Sequence, residues 1–310
     1  MKTYNIHLDS LIEIPNLNLA IGNFDGVHIG HQKIIDKLIK DSKIKKYSSA
    51  VLSFNPHPRK FFLNDCVNFE IISEKKKISL LEKLGIDFYF SLRFNEKISS
   101  LSHEKFLEKI ILDKLKTKSL VVGYDFKFGK DRKGDISFLK KESKRLNFNL
   151  EIIKPIKSNY NSQIYSSSII RKSIQEGDMH TANQFLGNYW SMQGIVIDGD
   201  KNARKMNFPT ANIIPHNQIH PRKGVYAIKV EINSKLVKGI ANFGERPTFD
   251  GKKLLLEVHL FEFDEDIYGK ELTVEFLTFI REEKKFDSFD LLKKQIQKDI
   301  IEVREFYLEK

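Results

Sequence analysis

In the first 185 residues, segments with the hydrophobic pattern of β-strands alternate with segments with the pattern of α-helices. Short apolar runs typical of buried strands occupy residues 17–24, 48–55, 86–94 and 119–126, with a fifth candidate at 147–154. Segments of helical period separate them, from Gly30 to about Lys40 and then in "EKKKISLLEKLG" and "HEKFLEKIILDKL". Strands separated by helices of this length predict an α/β domain with a parallel sheet and right-handed crossovers. Ligands of such sheets bind beyond the carboxyl ends of the strands.

The period changes after residue 185. Strand-like segments follow one another with turn residues and no helical pattern between them: "SMQGIVIDGD", "GVYAIKVEI", "KLVKGIANFG", "LLLEVHLFEF" and "ELTVEFLTFI". The last segment places its apolar residues on one helical face: Phe289, Leu292, Ile296, Ile300 and Val303. This pattern predicts an antiparallel β-barrel and a terminal α-helix whose apolar stripe packs in the core. We therefore expect two domains, residues 1–185 and residues 186–310.

The net charge of +11 is concentrated in the first domain. Residues 1–185 contain 32 Lys and Arg against 21 Asp and Glu, whereas residues 186–310 contain 20 of each. A basic surface suits anionic partners such as nucleotides or nucleic acids, although a solvated lysine-rich surface accounts for the same count. The lysine runs lack the interleaved aromatic residues of a groove for single strands, which argues against a nucleic-acid partner.

Three features predict a soluble, cytoplasmic protein without a membrane segment. The N-terminal residues interrupt their apolar stretches with Asn, Glu and Pro, unlike a signal peptide. No segment approaches the roughly 20 apolar residues that cross a bilayer. The single cysteine, Cys66, cannot form an intrachain disulfide, which fits a reducing compartment. The oligomeric state stays open at this point.

The segment "AIGNFDGVHIGHQKII" carries the first candidate site. Gly22, Gly26 and Gly30 permit tight turns and close approach of the backbone to a ligand. A helix that begins near Gly30 would direct free N–H groups and the positive end of its dipole at an anion. His28 and His31 could then donate hydrogen bonds to phosphate oxygens. A metal site is the alternative, although the sequence nearby offers no evident third ligand.

Further motifs extend this pattern along nearly the whole chain. After "GNFDGVHIGH" come "SFNPHP", "VVGYDFKFGKDRKGD" and "YSSSIIRKSIQEGD", and then "FPTANI", "GVYAIKV", "ANFGERPTF", "LEVHLFEFDEDIYGK" and "FIREEKKFDS". The first group resembles the HxGH nucleotidylyltransferase domain, and the second the kinase domain, of bacterial bifunctional riboflavin kinase/FAD synthetases. The resemblance implies a Rossmann-like nucleotidylyltransferase domain followed by a riboflavin-kinase-like barrel.

By this resemblance, the first domain transfers AMP from ATP to FMN, which yields FAD and pyrophosphate. His28 and His31 would be its catalytic residues. The ATP phosphates would also contact residues of two segments: Gly22, Asn23 and Gly30, and Ser167, Ser168 and Arg171 at the start of a predicted helix. The flavin phosphate or the nucleotide would contact residues of two predicted loops: Asn55, His57, Asp125 and Arg132.

The second domain would phosphorylate riboflavin. Kinase chemistry on an alcohol needs a base for the hydroxyl, a metal ion and donors for phosphate. Thr210 and Asn212 of "FPTANI" would bind Mg²⁺, and Asn212 would also contact the ATP phosphates. Glu257 lies among apolar residues of a predicted strand, where we expect a buried carboxylate, and by resemblance it is the base. His259 shares its strand face and is assigned a structural role.

One loop departs from the family. The family places a glycine-rich, basic loop before its PTAN motif, where this chain has "GDKNARKMNFPTAN". Of the expected residues only Gly199 and Arg204 remain, and both would contact ATP. Lys201 and Ala203 adopt positive φ angles poorly, so we expect the loop to close differently over the nucleotide.

The leading hypothesis is a bifunctional enzyme that uses ATP and Mg²⁺ to convert riboflavin to FMN and FMN to FAD. The alternative is a monofunctional FAD synthetase whose second domain binds flavin without kinase activity, because the departing loop belongs to the kinase site. Either hypothesis makes small molecules the expected partners: riboflavin, FMN and ATP.

Overall fold

The computed structural model of the chain divides into two compact units. The first comprises Met1–Val67 and Glu74–Ser166, and the second comprises Asn68–Ser73 and Ser167–Lys310. The residues described are 1–63, 68–158, 162–197, 208–248 and 251–308. Gly199, Arg204 and the loop Lys201–Asn207 lie outside them. Within the described ranges, no helix combines the length and the apolar character required to cross a membrane.

The first unit is built on a parallel β-sheet. Its described strands span Lys2–Ile6 (β1), Leu17–Ile21 (β2), Ser48–Asn55 (β3), Phe88–Arg93 (β4), Thr117–Gly123 (β5) and Asn149–Ile153 (β6). Adjacent strands pair in parallel, with Leu19 opposite Ala50 on one side and Leu120 on the other. The predicted parallel sheet is confirmed. Sequence periodicity missed β1, a mostly exposed strand with a single buried residue.

The order of the strands, β1-β4-β3-β2-β5-β6, reverses at β2. From β2 the chain proceeds to β3 and β4 on one side and later to β5 and β6 on the other. The loops after the carboxyl ends of β2 and β5 therefore border the same crevice, the place where open α/β sheets bind ligands. The "GNFDGVHIGH" segment begins in this crevice, directly after the last residue of β2.

Helices connect these strands. They span Ile29–Lys45 (α1), Pro58–Phe62 (α2), Glu74–Lys83 (α3), Glu96–Ser99 (α4), His103–Lys105 (α5) and Ile136–Arg145 (α6), and α5 continues as a π-helical segment, Phe106–Lys114. The apolar period that predicted α1 buries Ile35 and Leu38 on one face. Leu19, Phe90 and Ile110 belong to one core shared by strands and helical segments.

The second unit contains a closed antiparallel barrel, as the sequence predicted. Its strands span Ser191–Ile197 (β7), Ala211–Pro215 (β8), Gly224–Ile232 (β9), Lys235–Thr248 (β10), Gly251–Leu260 (β11) and Glu271–Arg281 (β12). They close in the order β10-β11-β8-β7-β12-β9. Burial alternates along β11, because small barrels fill their interior with every second side chain. The sequence analysis missed β8, in which only Ile213 is buried.

The described helices of the second unit span Ser167–Glu176 (α7), Met179–Leu186 (α8) and Phe289–Leu308 (α9). The apolar stripe of α9 serves two purposes. Val303 is fully buried and Ile300 packs against the core. By contrast, Phe289, Leu292 and Ile296 line a cavity. The expectation that the whole stripe is core packing is therefore wrong for the first half of the helix.

A short segment from the first half of the sequence, Asn68–Ser73, belongs to the second unit. The indole N–H of Trp190 donates to the carbonyl of Ile71 at 2.9 Å, and Nε2 of Gln218 donates to the same carbonyl at 2.8 Å. Both side chains are buried, so water is a poor substitute for that carbonyl. Hydrophobic periodicity does not indicate that this segment belongs to the second unit, because Trp190 and Gln218 lie 119 and 147 positions from Ile71.

We expect the fragment of residues 186–310 to fold as a barrel but to melt at a lower temperature than the second unit of the intact chain. The fragment lacks the carbonyl of Ile71, so the indole N–H of Trp190 loses its acceptor, whereas Gln218 keeps its second acceptor, the carbonyl of Ser191 at 2.6 Å. An unsatisfied buried donor costs about 1–3 kcal/mol. Melting followed by circular dichroism measures the loss, with Trp190→Phe in the intact chain as the matched variant. A fragment that stays unfolded with riboflavin present would move the domain boundary toward Ser167. The boundary at residue 186 stays a prediction until this fragment is measured.

Candidate active sites

The first candidate site lies in the loop that joins β2 to α1. Its backbone bends sharply: Phe24 and Val27 have φ angles of 48° and 41°, and Gly26 has a φ angle of 87°. Residues held in such sparsely populated conformations cluster at ligand-binding sites. The N–H of Val27 donates to the carbonyl of Phe24 at 3.0 Å, which closes the turn. The loop thereby brings His28 to the N-terminus of α1.

His28 and His31 form a stacked pair at this helix terminus. Their ring centroids lie 3.6 Å apart, with an interplanar angle of 16°. Nδ1 of His28 accepts the backbone N–H of His31 at 3.2 Å, so the proton of the neutral His28 ring resides on Nε2. The pair presents ring N–H donors beside the positive dipole end of a 17-residue helix, a combination suited to phosphate.

Gly30 leaves room for this pair. A Cβ atom at that position would lie 3.1 Å from the ring of His28 and 3.0 Å from the Cβ atom of Tyr165. Both distances are shorter than an optimal contact between carbon atoms. Phe24 packs edge-on against His31, with centroids 5.1 Å apart. Glycine stands between the two histidines because the His28 ring lies against the first turn of α1.

Asn23 contributes a buried polar atom to the same loop. Its Oδ1 is shielded from solvent and, within the described part of the chain, has no hydrogen-bond partner. The carbonyl of Asn23 accepts the hydroxyl of Ser53 at 3.2 Å, which attaches the loop to β3. Buried amide oxygens are seldom left without a donor. This atom is therefore suited to a donor group of a ligand.

The residues predicted for the flavin phosphate lie at the same edge of the sheet. Asn55 ends β3, and His57 caps α2 by accepting the N–H of Arg59 on Nδ1 at 3.1 Å. Asp125 follows β5, and Arg132 lies in the short 3₁₀ turn after it. Both of these charged side chains are exposed. Their position agrees with the predicted role, and the contacts of each with flavin stay a prediction.

The third segment predicted for ATP belongs to the second unit. Ser167 and Ser168 are the first residues of α7, which confirms the predicted helix start. The Nε–H of Arg171 donates to the carbonyl of Phe69 at 3.1 Å, and its guanidinium carbon lies 3.8 Å from the centroid of the Phe69 ring. Phe69 thus orients this guanidinium, and its contact with ATP stays a prediction.

The second candidate site is a cavity of about 500 Å³ beside the barrel. Glu257, His259 and Thr210 supply polar atoms to its wall. Its apolar lining comes from the barrel, from α9 and from the segment before α9: Phe208, Ile240, Phe286, Phe289, Leu292 and Ile296. A mostly apolar cavity of this size with a few convergent polar groups is typical of a small-molecule site.

Glu257 is half-buried, so the expectation of a buried carboxylate is wrong. The alternation of β11 turns its side chain away from the packed barrel interior and toward the cavity. In the strand register, Glu257 lies opposite Asn212 of β8 and Asn242 of β10. Side chains in directly opposed positions share a face of the sheet. The barrel thus places this carboxylate between two amides, beside the same cavity as Thr210.

His259 fixes the turn that carries Thr210. Its Nδ1–H donates to the carbonyl of Pro209 at 2.8 Å, since a carbonyl oxygen can only accept. The imidazole also packs edge-on against Phe208, with centroids 5.9 Å apart. The side chain lies on the same strand face as Glu257, as the sequence analysis expected, and it also lines the cavity. The structural role assigned to His259 therefore consists of holding the backbone of Pro209 and packing against Phe208.

An ion pair supports another part of the cavity wall. Nε and Nη2 of Arg281 donate to the two carboxylate oxygens of Asp299 at 2.8 and 2.6 Å, and Gln295 donates to the same carboxylate at 2.7 Å. Nδ2 of Asn242 donates to Glu283 at 3.1 Å. The sequence analysis did not single out these residues, because their partners lie on other elements of the barrel and on α9.

The oxygen atoms of this cavity, together with that of Asn212 opposite Glu257, suit magnesium. Thr210, Asn212 and Glu257 offer hydroxyl, amide and carboxylate oxygens, which are the ligands that Mg²⁺ takes together with water and phosphate. Within the described residues, no group of three or more His, Cys, Asp or Glu could hold a metal ion by itself. A magnesium ion here would therefore share its coordination with the phosphates of a nucleotide.

Comparisons with known proteins match both halves of the chain. The family model for FAD synthetase matches residues 13–168, and the model for riboflavin kinase matches residues 186–307. The bifunctional riboflavin kinase/FMN adenylyltransferase of Haemophilus influenzae is 40% identical over 93% of this chain and 94% of its own. The chain belongs to the bifunctional riboflavin kinase/FMN adenylyltransferase family. The family member from Bacillus subtilis is 36% identical over 96% of both chains.

This chain is also similar to a solved structure. It is described as a macrolide-efflux protein from Streptococcus pneumoniae, with a TM-score of 0.88 and 28% identity. The match covers 98% of this chain and 99% of that chain. The two family domains stand here in the order that the sequence motifs predicted, FAD synthetase first and riboflavin kinase second.

Proposed function

We propose that this chain makes FAD from riboflavin in two ATP-dependent reactions, one in each unit. The kinase site is the cavity with Thr210 and Glu257, and the adenylyl-transfer site is the loop Gly22–His28 together with His31. The kinase site converts riboflavin to FMN. The adenylyl-transfer site then converts FMN to FAD.

In the kinase site, the 5′-hydroxyl oxygen of riboflavin attacks the γ-phosphorus of ATP, and ADP leaves. Glu257 accepts the hydroxyl proton, because a half-buried carboxylate in the cavity wall is within reach of a bound alcohol. Thr210 and Asn212 would hold the Mg²⁺ that accompanies ATP, and the ion would supply neutralisation of the phosphate charge. The apolar wall at Phe286 and Phe289 accommodates the flavin ring.

In the adenylyl-transfer site, a phosphate oxygen of FMN attacks the α-phosphorus of ATP, and pyrophosphate leaves. The nucleophile is already ionised, so positioning and charge stabilisation supply the catalysis. His28 and His31 donate ring N–H hydrogen bonds to the phosphate oxygens, and the N-terminus of α1 adds its own free N–H groups. The remaining contacts with the FMN phosphate come from the residues named above: Asn55, His57, Asp125 and Arg132.

One observation favours the bifunctional hypothesis over a monofunctional FAD synthetase. The carboxylate of Glu257 and the hydroxyl of Thr210 border one cavity in the half of the chain that matches riboflavin kinase. A domain that only bound flavin would need an apolar cavity and hydrogen-bond donors for the ring. It would not need a carboxylate base beside a hydroxyl group that can bind Mg²⁺.

A flavin conversion assay tests this proposal. With ATP and Mg²⁺, we expect riboflavin to yield FMN and then FAD, and FMN to yield FAD directly, with the three flavins separated by chromatography. EDTA in excess over Mg²⁺ should stop both conversions. Conversion of FMN without any phosphorylation of riboflavin would support the monofunctional alternative. No product from either substrate would contradict both hypotheses.

A further inference from the structure

Five polar side chains of the first unit form a connected group to which neither reaction assigns a role. This Lys77 network consists of Ser53, Glu74, Lys77, Tyr89 and Ser91. Nζ of Lys77 donates to Oε2 of Glu74 at 3.1 Å and to Oγ of Ser53 at 3.4 Å. Oε1 of Glu74 accepts the hydroxyl of Tyr89 at 2.5 Å and that of Ser91 at 3.1 Å. The network joins α3 to β3 and β4.

Burial makes this network an expensive way to attach a helix. Lys77 is 4% exposed, and Ser53 is fully buried. The Glu74 side chain keeps 29% exposure, so the cost falls on Lys77. Burial of its ammonium group removes hydration that the attraction between the two charges only partly offsets, and apolar residues of similar volume are often equally stable. Burial and the Glu74 carboxylate also raise the pKa of Tyr89, which keeps its phenol protonated as a donor. Attachment of α3 alone does not require charged groups at these positions.

The network ends on the loop of the adenylyl-transfer site. The hydroxyl of Ser53 accepts a hydrogen bond from Lys77 and donates its own proton to the carbonyl of Asn23 at 3.2 Å. An ammonium group can only donate, and a serine hydroxyl has one proton to give. Lys77 therefore directs the Ser53 proton away from its own ammonium group, and the carbonyl of Asn23 is an acceptor on that other side. Without the ammonium group, the hydroxyl loses one of the contacts that set its orientation.

We propose that Lys77 is a positioning residue for adenylyl transfer, acting through Ser53 on the carbonyl of Asn23. This inference rests on the function proposed above for that site. The loop beyond Asn23 passes through positive φ angles at Phe24 and Val27 before it reaches His28. Backbone in such conformations persists only where its surroundings hold it. The Lys77 network is one of these restraints, at the start of the strained segment.

A positioning role and a purely structural role predict different kinetics. If the network only fastened α3, its loss would lower stability and leave the turnover of the folded enzyme unchanged. A displaced Asn23 loop instead lowers kcat in the folded enzyme, because the reacting groups are misaligned in the bound complex. The KM values for ATP and FMN change less, since most binding contacts remain.

The variant Lys77→Met in the full chain tests this inference. Methionine approximates the length of the lysine stem and has no N–H donor. We expect kcat for FMN to FAD to fall about 10- to 100-fold, the effect of a displacement of about 1 Å at a reacting centre. Riboflavin phosphorylation by the same protein should be unchanged. Ser53→Ala should slow FAD synthesis similarly, and the double variant should be no slower than the slower single variant, since both changes break one link.

Lys45→Met is the matched control. Nζ of Lys45 donates to Oγ of Ser119 at 3.0 Å in the same unit, so this change deletes a lysine-to-serine hydrogen bond that does not lead to Asn23. A wild-type kcat in folded Lys77→Met would overturn the inference. An equal loss of kcat in Lys45→Met, at an equal change in Tm, would overturn it as well.

Two further outcomes are distinguishable. If Lys77→Met does not fold, Ser53→Ala decides the matter, because it removes a single oxygen atom, and an unchanged kcat for that variant overturns the inference. If the wild-type protein itself makes no FAD from FMN, the proposed function fails and the inference with it. That result is recognised from the wild-type sample alone, before any variant is compared.

Discussion

Changing His31 to Ala lowers FAD synthesis from FMN by roughly 100- to 1,000-fold, the loss expected when one donor to a developing negative charge is removed. Riboflavin phosphorylation by the same protein continues at the wild-type rate, because the kinase cavity is lined by residues of the other unit. The stacked ring of His28 stays in place as the cap of α1, so the residual rate reports the loss of one ring rather than of the helix terminus.

The control for this variant is His7→Ala. His7 is an exposed histidine of the same unit, and its ring contacts the hydroxyl of Ser10. We expect wild-type rates for both reactions in this control. Both activities are followed by chromatographic separation of the flavins, and folding by circular dichroism. A folded His31→Ala protein that loses both activities equally would contradict the assignment of two separate sites.

Changing Glu257 to Gln should slow the kinase reaction and leave FAD synthesis unaffected, the reverse of His31→Ala. The amide keeps the size of the side chain and cannot accept the proton of the riboflavin hydroxyl. We expect riboflavin phosphorylation to fall by roughly 100- to 10,000-fold, the range associated with a general base. FAD synthesis from added FMN should be unchanged. Together with His31→Ala, this variant separates the two reactions in both directions.

Glu275→Gln is the matched control for this second prediction. Glu275 lies on β12 of the same barrel and pairs with Nζ of Lys229 at 3.1 Å, and it is not among the residues that line the cavity. The same chemical change there should leave the kinase rate within about twofold of wild type, because this partly exposed ion pair lies outside the cavity. Wild-type kinase activity in Glu257→Gln would remove this carboxylate as the base and leave the hydroxyl proton to another acceptor.

Much of the fold could be predicted from local pattern. The strands and helices found by period are those whose buried faces are long enough to leave a repeat, such as β3 and α1. The missed strands, β1 and β8, each bury a single residue and leave no such repeat. The glycine and histidine positions around His28 were also recognisable, because the geometry of one turn and one helix start is encoded within a few consecutive residues.

Other features depend on residues that meet only in the folded chain. The Asn68–Ser73 segment joins the second unit through Trp190 and Gln218. Glu257 faces a cavity because barrel closure and α9 decide which side of β11 is buried. The Lys77 network links α3 to the Asn23 loop through Ser53.

The sequence by itself therefore determined the two domain classes, their order and the segments that carry the chemistry, because periodicity and turn residues are local properties of the chain. Only the tertiary structure decided which polar side chains are buried together and what holds the loops in place. Those contacts join residues far apart in sequence, and one hydrogen bond between distant residues leaves no periodic trace.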